Sequence, residues 1–225
     1  RDIFRTQLRA IFRSSAHGRV RIMFPMISVV DEVRQAKAIC DEVREDLRRE
    51  RYSLGDDVEI GIMIETPSAV ALADKLAKEV DFFSVGTNDL VQYALAVDRG
   101  NSRISYLYDP LHPSILRFLR DTVNAAHRNG IWVGICGEMP ANVRAALLVI
   151  GLGFDELSAS PYHIPEIKKF IRSITFDETR ALVRKALARA TADEVRELLD
   201  AFIRDKRPEL AEFIREWEKT EPGSD

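Results

Sequence analysis

Apolar residues in this chain fall into short, nearly unbroken runs separated by longer stretches in which they recur every three or four positions. The runs at 20–25 (VRIMFP), 58–64 (VEIGIMI), 81–85 (DFFSV), 131–135 (IWVGI) and 154–158 (FDELS) predict strands. Most are almost continuously apolar, as strands buried on both faces of a parallel sheet are. The helical period lies between them, near 28–51, 67–79, 88–97, 113–129 and 140–151, and another helix opens the chain at DIFRTQLRAIFRSS. After residue 163 the pattern is helical throughout, with EIKKFIRSI, ETRALVRKALARA and TADEVRELLDAFIRD in succession. Thr191, with Glu194 three positions on, predicts a capping box for the last of these. The expected organisation is one domain over residues 1–205 and a C-terminal helical extension over 206–225, ending in the frayed tail EPGSD.

Alternating strands and helices imply either a doubly wound sheet or a (β/α)8 barrel. The spacing alone fits both. The predicted strands run into polar clusters: Glu65-Thr66-Pro67, Gly86-Thr87-Asn88-Asp89, Cys136-Gly137-Glu138 and Ser158-Ala159-Ser160. A barrel gathers all strand C-termini on one face, where the chemistry sits, and this favours the barrel. A closed barrel needs eight strands and typically ~250 residues. The expectation is therefore an α/β fold of the TIM type, incomplete, holding about the last five strands together with extra C-terminal helices.

Composition narrows the classes further. With 46% hydrophobic and 31% charged residues, 225 residues can bury a large core as a soluble domain. A net charge of -3 and a pI near 5.9 lack the basic face of a nucleic-acid binder. No apolar run approaches the ~18 residues of a membrane span, and no signal-peptide pattern opens the chain. The expected location is the cytoplasm, without membrane insertion. Cys40 and Cys136 suggest no disulfide framework, in keeping with a reducing compartment.

Two carboxylates, Glu65 and Asp89, end neighbouring predicted strands. Together they could hold one hard cation such as Mg2+, which prefers carboxylate oxygens; alternatively each caps the helix that follows it. Thr87-Asn88-Asp89 leads backbone amides into a helix, a natural anion site. Arg99, in Asp98-Arg99-Gly100-Asn101, carries a planar fork suited to phosphate or carboxylate, if it is not simply solvated. Cys136 is either a small core residue or a thiol exposed at a strand end that could exchange a proton with substrate. Cys40 fits packing only. His17, His112, His127 and His163 lack ligand spacing, and with no HxxxH or CxxC pattern a zinc site is not expected. The charge run from Arg44 to Arg51 reads as a solvated helix face.

The segments IETPSA, SVGTNDLVQYALAVDRGN and GICGE resemble the C-terminal, phosphoenolpyruvate-binding domain of enzyme I of the bacterial phosphoenolpyruvate-dependent sugar phosphotransferase system. The resemblance runs from about residue 1 to about 205. It implies that Glu65 and Asp89 bind Mg2+, that Asn88, Asp89 and Arg99 hold phosphoenolpyruvate, and that Cys136 is the acid–base residue at the substrate methylene carbon. It further implies a phosphoryl-accepting histidine in an N-terminal domain not among these residues, a histidine-containing phosphocarrier protein as partner, and a homodimer. Pyruvate phosphate dikinase and phosphoenolpyruvate synthase share the Glu, Asn-Asp and Cys-Gly positions, but LAVDRGN is typical of enzyme I. A non-catalytic dimerisation fragment is the alternative from another class.

Overall fold

The computed structural model describes residues 1–206 and 208. The extension expected over 206–225 otherwise lies outside the described residues. Five strands, β1 (Arg21–Phe24), β2 (Glu59–Ile64), β3 (Phe82–Gly86), β4 (Trp132–Cys136) and β5 (Glu156–Leu157), form one parallel sheet in the order β1-β2-β3-β4-β5. This order separates the two architectures that the spacing left open. A doubly wound sheet reverses direction at a switch point. Strictly consecutive parallel strands joined by right-handed crossovers carry their helices on one face, as successive units of a (β/α)8 barrel do. The described residues thus hold five of a barrel's eight strands.

The two faces of the sheet differ accordingly. Ile22 and Phe24, Ile60, Ile62 and Ile64, Phe83 and Val85, and Val133 and Ile135 are buried beneath the helices, in one core with Cys40, Leu76, Ile115 and Leu147. The other face carries Arg21, Met23, Glu59, Met63, Phe82, Ser84, Trp132 and Cys136. In β1 the alternation is plain, with Arg21 and Met23 exposed. The expectation of strands buried equally on both faces is corrected here, because aromatic and sulfur-containing side chains on the inner face made the runs look uniformly apolar. Phe82 stacks on Trp132 at 4.5 Å, and Arg21, paired with Glu59, lies 4.7 Å over the same indole.

The helices follow the predicted periods with local differences. Helix α1 (Asp2–Ser14) packs against α2 (Val30–Arg49). Arg5 bonds to Glu42 and Asp46, and Arg9 bonds to Glu50 at 2.6 Å, so arginines four apart meet acids four apart. Arg44 lies 4.7 Å over the Phe12 ring. Part of the charge run read as a solvated face is therefore interhelical. The helix expected over 67–79 is broken into α3 (Pro67–Ala71) and α4 (Ala73–Leu76) at Leu72. Next come α5 (Thr87–Leu95) and α6 (Pro113–Arg128), capped by His112, which accepts from Ser114 N. Helix α7 (Val143–Leu152) begins later than predicted, because a short 3-10 turn at Met139–Ala141 precedes its Asn142 cap. Helices α8 (Ile164–Ile171), α9 (Phe176–Ala186) and α10 (Ala192–Lys206) complete the described chain. At α10, Thr191 accepts from Glu194 N at 3.2 Å, while the Glu194 carboxylate accepts from Ala190 N, one residue before the cap.

Candidate active site

The strand register lines up the chemistry. Ile64 pairs with Val85 and Gly86 with Cys136, so Glu65, Gly86 and Cys136 stand side by side at the C-terminal ends of β2, β3 and β4. Gly86 keeps this row open. A Cβ there would lie 2.7 Å from Glu65 Oε2 and 2.8 Å from Met63 Sδ.

Glu65 is 3% exposed. Its Oε1 accepts from Met26 N at 2.6 Å. Met26 presents that N–H from a left-handed conformation, φ 56°, uncommon for a residue with a side chain. Burial is the main influence pushing the Glu65 carboxyl above its usual range; the Met26 bond opposes it, and the neighbouring charge and hydrogen bond of Asp89 add to it. Asp89, in the first turn of α5, thus brings a second carboxylate against the first. Neither makes an ion pair among the described residues. The capping alternative fails for Glu65, because the cap of α3 is Thr66, whose hydroxyl accepts from Ala69 N.

Two carboxylates set against each other form a donor set suited to a hard divalent ion with open positions. Among the described residues no group of three or more His, Cys, Asp or Glu side chains is arranged to hold a metal ion.

Cys136 sits across Gly86 from Glu65. Its Sγ accepts from Ser84 Oγ at 3.8 Å and lies 3.5 Å from the Val85 carbonyl. Burial, the largest influence, raises the thiol above its ordinary value. Ser84 works against this, and Glu65, Glu156 and Asp89 add to it. The sulfur is therefore a thiol at neutral pH, able to give a proton. Cys40, fully buried in α2, has its thiol pushed up to about 11 by burial and only packs.

The turn after β4 is locked to the start of α5. Thr87 Oγ1 donates to the Cys136 carbonyl at 2.9 Å, and Glu138 N donates to Asn88 Oδ1 at 3.2 Å. Gly137 is required twice over, by φ +102° and by the 2.5 Å that would separate its Cβ from Thr87 Oγ1. With Asn88 Oδ1 engaged, the amide NH2 is the donor left for an anion. Arg99 comes back to the same rim, its Nη1 3.8 Å from Glu138 Oε1.

Residues 1–176 match the family described as PEP-utilising enzyme, PEP-binding domain. The chain belongs to this family. The phosphoenolpyruvate-binding domain is 47% identical over 203 residues to a phosphoenolpyruvate-protein phosphotransferase of Haemophilus influenzae, covering 90% of this chain and 35% of that protein. It is 48% identical to the Staphylococcus aureus phosphotransferase, covering 90% and 36%, and 47% identical to that of Staphylococcus carnosus, covering 91% and 36%. The chain thus spans about a third of the length of these relatives. A citrate lyase structure from Burkholderia xenovorans superposes with a TM-score of 0.55 at 16% identity, covering 91% of this chain and 69% of that one, which supports the barrel-type fold alone.

Three features of the phosphoenolpyruvate-binding domain escaped sequence reasoning. Met26 and its N–H depend on a loop conformation that no local pattern signals. Glu138 lies two residues after Cys136, but its pairing with Arg99 joins loops far apart in the chain. Tyr108, whose phenol is pushed up to about 12 by burial and then by Glu138, with Arg99 opposing, stands beside the same rim. Tyr108 also lines a cavity of about 690 Å³ with Thr87, Gly137, Glu138, Arg144 and His163. Glu65, Asp89 and Cys136 do not line that cavity; they face the open inner side of the sheet beside it. No helix among the described residues is long and apolar enough to cross a membrane.

Proposed function

We propose that this chain is the phosphoenolpyruvate- and Mg2+-binding domain of a phosphotransferase. In this reading the enzyme moves the phosphoryl group of phosphoenolpyruvate to a histidine in a preceding domain, and from there to a small histidine-containing carrier protein that serves sugar uptake. The observation that carries the reading is the row Glu65–Gly86–Cys136 with Asp89 set against Glu65. It sets two carboxylates and a thiol on either side of a gap one glycine wide, which supports reading the carboxylates as a metal site and the thiol as a proton donor. The relatives' names favour a phosphotransferase over a dikinase or synthase.

Phosphoryl transfer asks a protein chiefly to position its reactants and to neutralise charge. Glu65 and Asp89 would hold Mg2+, which supplies positive charge to the phosphoryl oxygens and the enolate. The Asn88 amide and the Arg99 fork would orient the substrate's phosphate and carboxylate. When the P–O bond breaks and the phosphoryl group passes to the histidine nitrogen, the enolate of pyruvate remains. Its methylene carbon takes the proton of the Cys136 thiol, the enolate electron pair forming the new C–H bond, and pyruvate and a thiolate result. Such chemistry on phosphoenolpyruvate belongs in the cytoplasm. Exposed apolar side chains such as Tyr106, Leu107 and Tyr162 are consistent with a homodimer.

The test is the metal pair. In the full-length phosphotransferase, Glu65→Ala and Asp89→Ala should each abolish turnover at ordinary Mg2+, since one carboxylate alone does not complete the site. Parent-like turnover in either variant would remove the metal assignment.

A further inference from the structure

The inner-face hydroxyl of Ser84 has no part in the reaction as described so far. Ser84 lies on β3 two residues before Gly86, so its side chain points to the same face as the open row. Its register partner on β4 is Gly134, and Cys136 is the next residue along that strand to face inward. The hydroxyl therefore reaches diagonally past a residue without a side chain and donates to Cys136 Sγ at 3.8 Å, within range of a bond to sulfur. Among the described residues this is the sole side-chain donor to the sulfur. The thiol's neighbours of the opposite kind are an acceptor, the Val85 carbonyl at 3.5 Å, and the carboxylates of Glu65, Glu156 and Asp89. The carbonyl can only accept the thiol proton, and Ser84 is the described side chain that donates to the sulfur once that proton has gone.

We propose that Ser84 is a positioning residue for the protonation step, its hydroxyl aiming Cys136 Sγ at the strand mouth and stabilising the thiolate left when the proton reaches the substrate carbon. This rests on the reading of Cys136 as the acid. In that step the S–H bond breaks, a C–H bond forms at the methylene carbon, and the negative charge passes from the enolate to sulfur. The Ser84 O–H then makes a charge-assisted bond to that sulfur, stronger than its bond to the neutral thiol. A donor that gains strength as charge develops lowers the barrier rather than merely tightening the ground state. Solvent afterwards returns the proton to sulfur.

Two measurements on Ser84→Ala and Ser84→Thr test the proposal. The first is the rate of alkylation of Cys136 by iodoacetamide against pH in the 225-residue chain, read by mass spectrometry of the Cys136 peptide so that Cys40 does not interfere. The Ala variant should move the profile to higher pH, because the thiolate has lost its donor, and Thr should restore it. The second is exchange of pyruvate methyl protons with solvent in the full-length phosphotransferase with Mg2+. Ala should slow exchange roughly tenfold, about the worth of one charge-assisted hydrogen bond, with unchanged KM for phosphoenolpyruvate, and Thr should recover it. An unshifted alkylation profile in Ser84→Ala overturns the proposal whatever happens to exchange. A shifted profile with parent-like exchange overturns it differently: Ser84 then governs the thiol without assisting the proton transfer, while loss of exchange in Cys136→Ala would keep Cys136 as the acid.

Discussion

Replacing Gly86 with alanine adds a single carbon to the centre of the site. The backbone there, φ -85° and ψ 90°, is open to any residue, so the substitution carries no conformational penalty. The cost is steric and directed. The new Cβ would stand 2.7 Å from Glu65 Oε2, 2.8 Å from Met63 Sδ and 3.1 Å from Glu65 Cβ. The Met63 thioether can swing aside. Glu65 cannot, being 3% exposed and held by Met26 N–H. Overpacking of this kind costs about 1–3 kcal/mol. For a chain of this size, at ~2–4 °C per kcal/mol, the melting midpoint should fall by about 2–12 °C. The sharper readout is the metal. At a hundredfold excess over Kd, Mg2+ should add ~2.7 kcal/mol to the parent, and nearly none of it to Gly86→Ala. Gly18→Ala is the control, since its φ of 168° is extended and a Cβ there meets nothing within 4 Å. Thermal melts of the three proteins with and without Mg2+ decide the matter. A Gly86→Ala protein with the parent's midpoint and the parent's Mg2+ increment refutes both the fixed placement of Glu65 and its role as a ligand.

Cys136→Ala in the full-length enzyme should still bind phosphoenolpyruvate with Mg2+ but lose roughly 10²–10⁴-fold in turnover and in pyruvate methyl-proton exchange; intact exchange by NMR would reduce the thiol to packing. Arg99→Lys should raise KM for phosphoenolpyruvate, because a point charge does not reproduce the planar fork; steady-state constants equal to the parent's would make Arg99 a solvated loop residue. The Glu65 carboxyl, raised in the folded state above its ordinary 4.5, contributes stability that is complete below that value and is lost as pH rises through its folded titration. Metal-free parent should therefore lose stability relative to Glu65→Gln as pH rises from the acid range toward neutrality, and parallel urea-midpoint profiles for the two proteins would contradict this.

The alternation of elements was readable because strands and helices leave different apolar periods, and all five strands fall within two residues of where the runs place them. What the runs hid was the asymmetry of the sheet: Met23, Met63, Phe82 and Trp132 are apolar to the eye yet line the inner face. Strand ends were also legible, because Glu65 directly follows the apolar run of β2 and Cys136-Gly137-Glu138 closes that of β4, whereas Asp89 lies three residues past β3, in the first turn of α5. The partners of those residues were not. Met26 N–H, the Ser84 hydroxyl and Glu138 reach the site through register and loop conformation, and neither is encoded within a few residues of sequence. The acids of α2 show the same limit, since the periodicity placed them on an exposed face and only the packing of α1 supplied their arginines.

The consecutive strand order also governs how the molecule opens. Each β/α unit leans mainly on the next, so contacts are short in sequence, and local opening can proceed from either margin of the sheet without disturbing its middle. In the described sheet β1 and β5 each have one neighbour, and β5 is two residues long. Gly86 and Cys136 belong to β3 and β4, Asp89 to the helix that β3 feeds, and Glu65 directly follows β2. Amide hydrogens there should exchange at the slow end of the range, and those at the margins of the described sheet earlier. Partly opened forms of the protein thus keep their acidic pair and their thiol assembled, and the chemistry resides in the last part of the sheet to be lost.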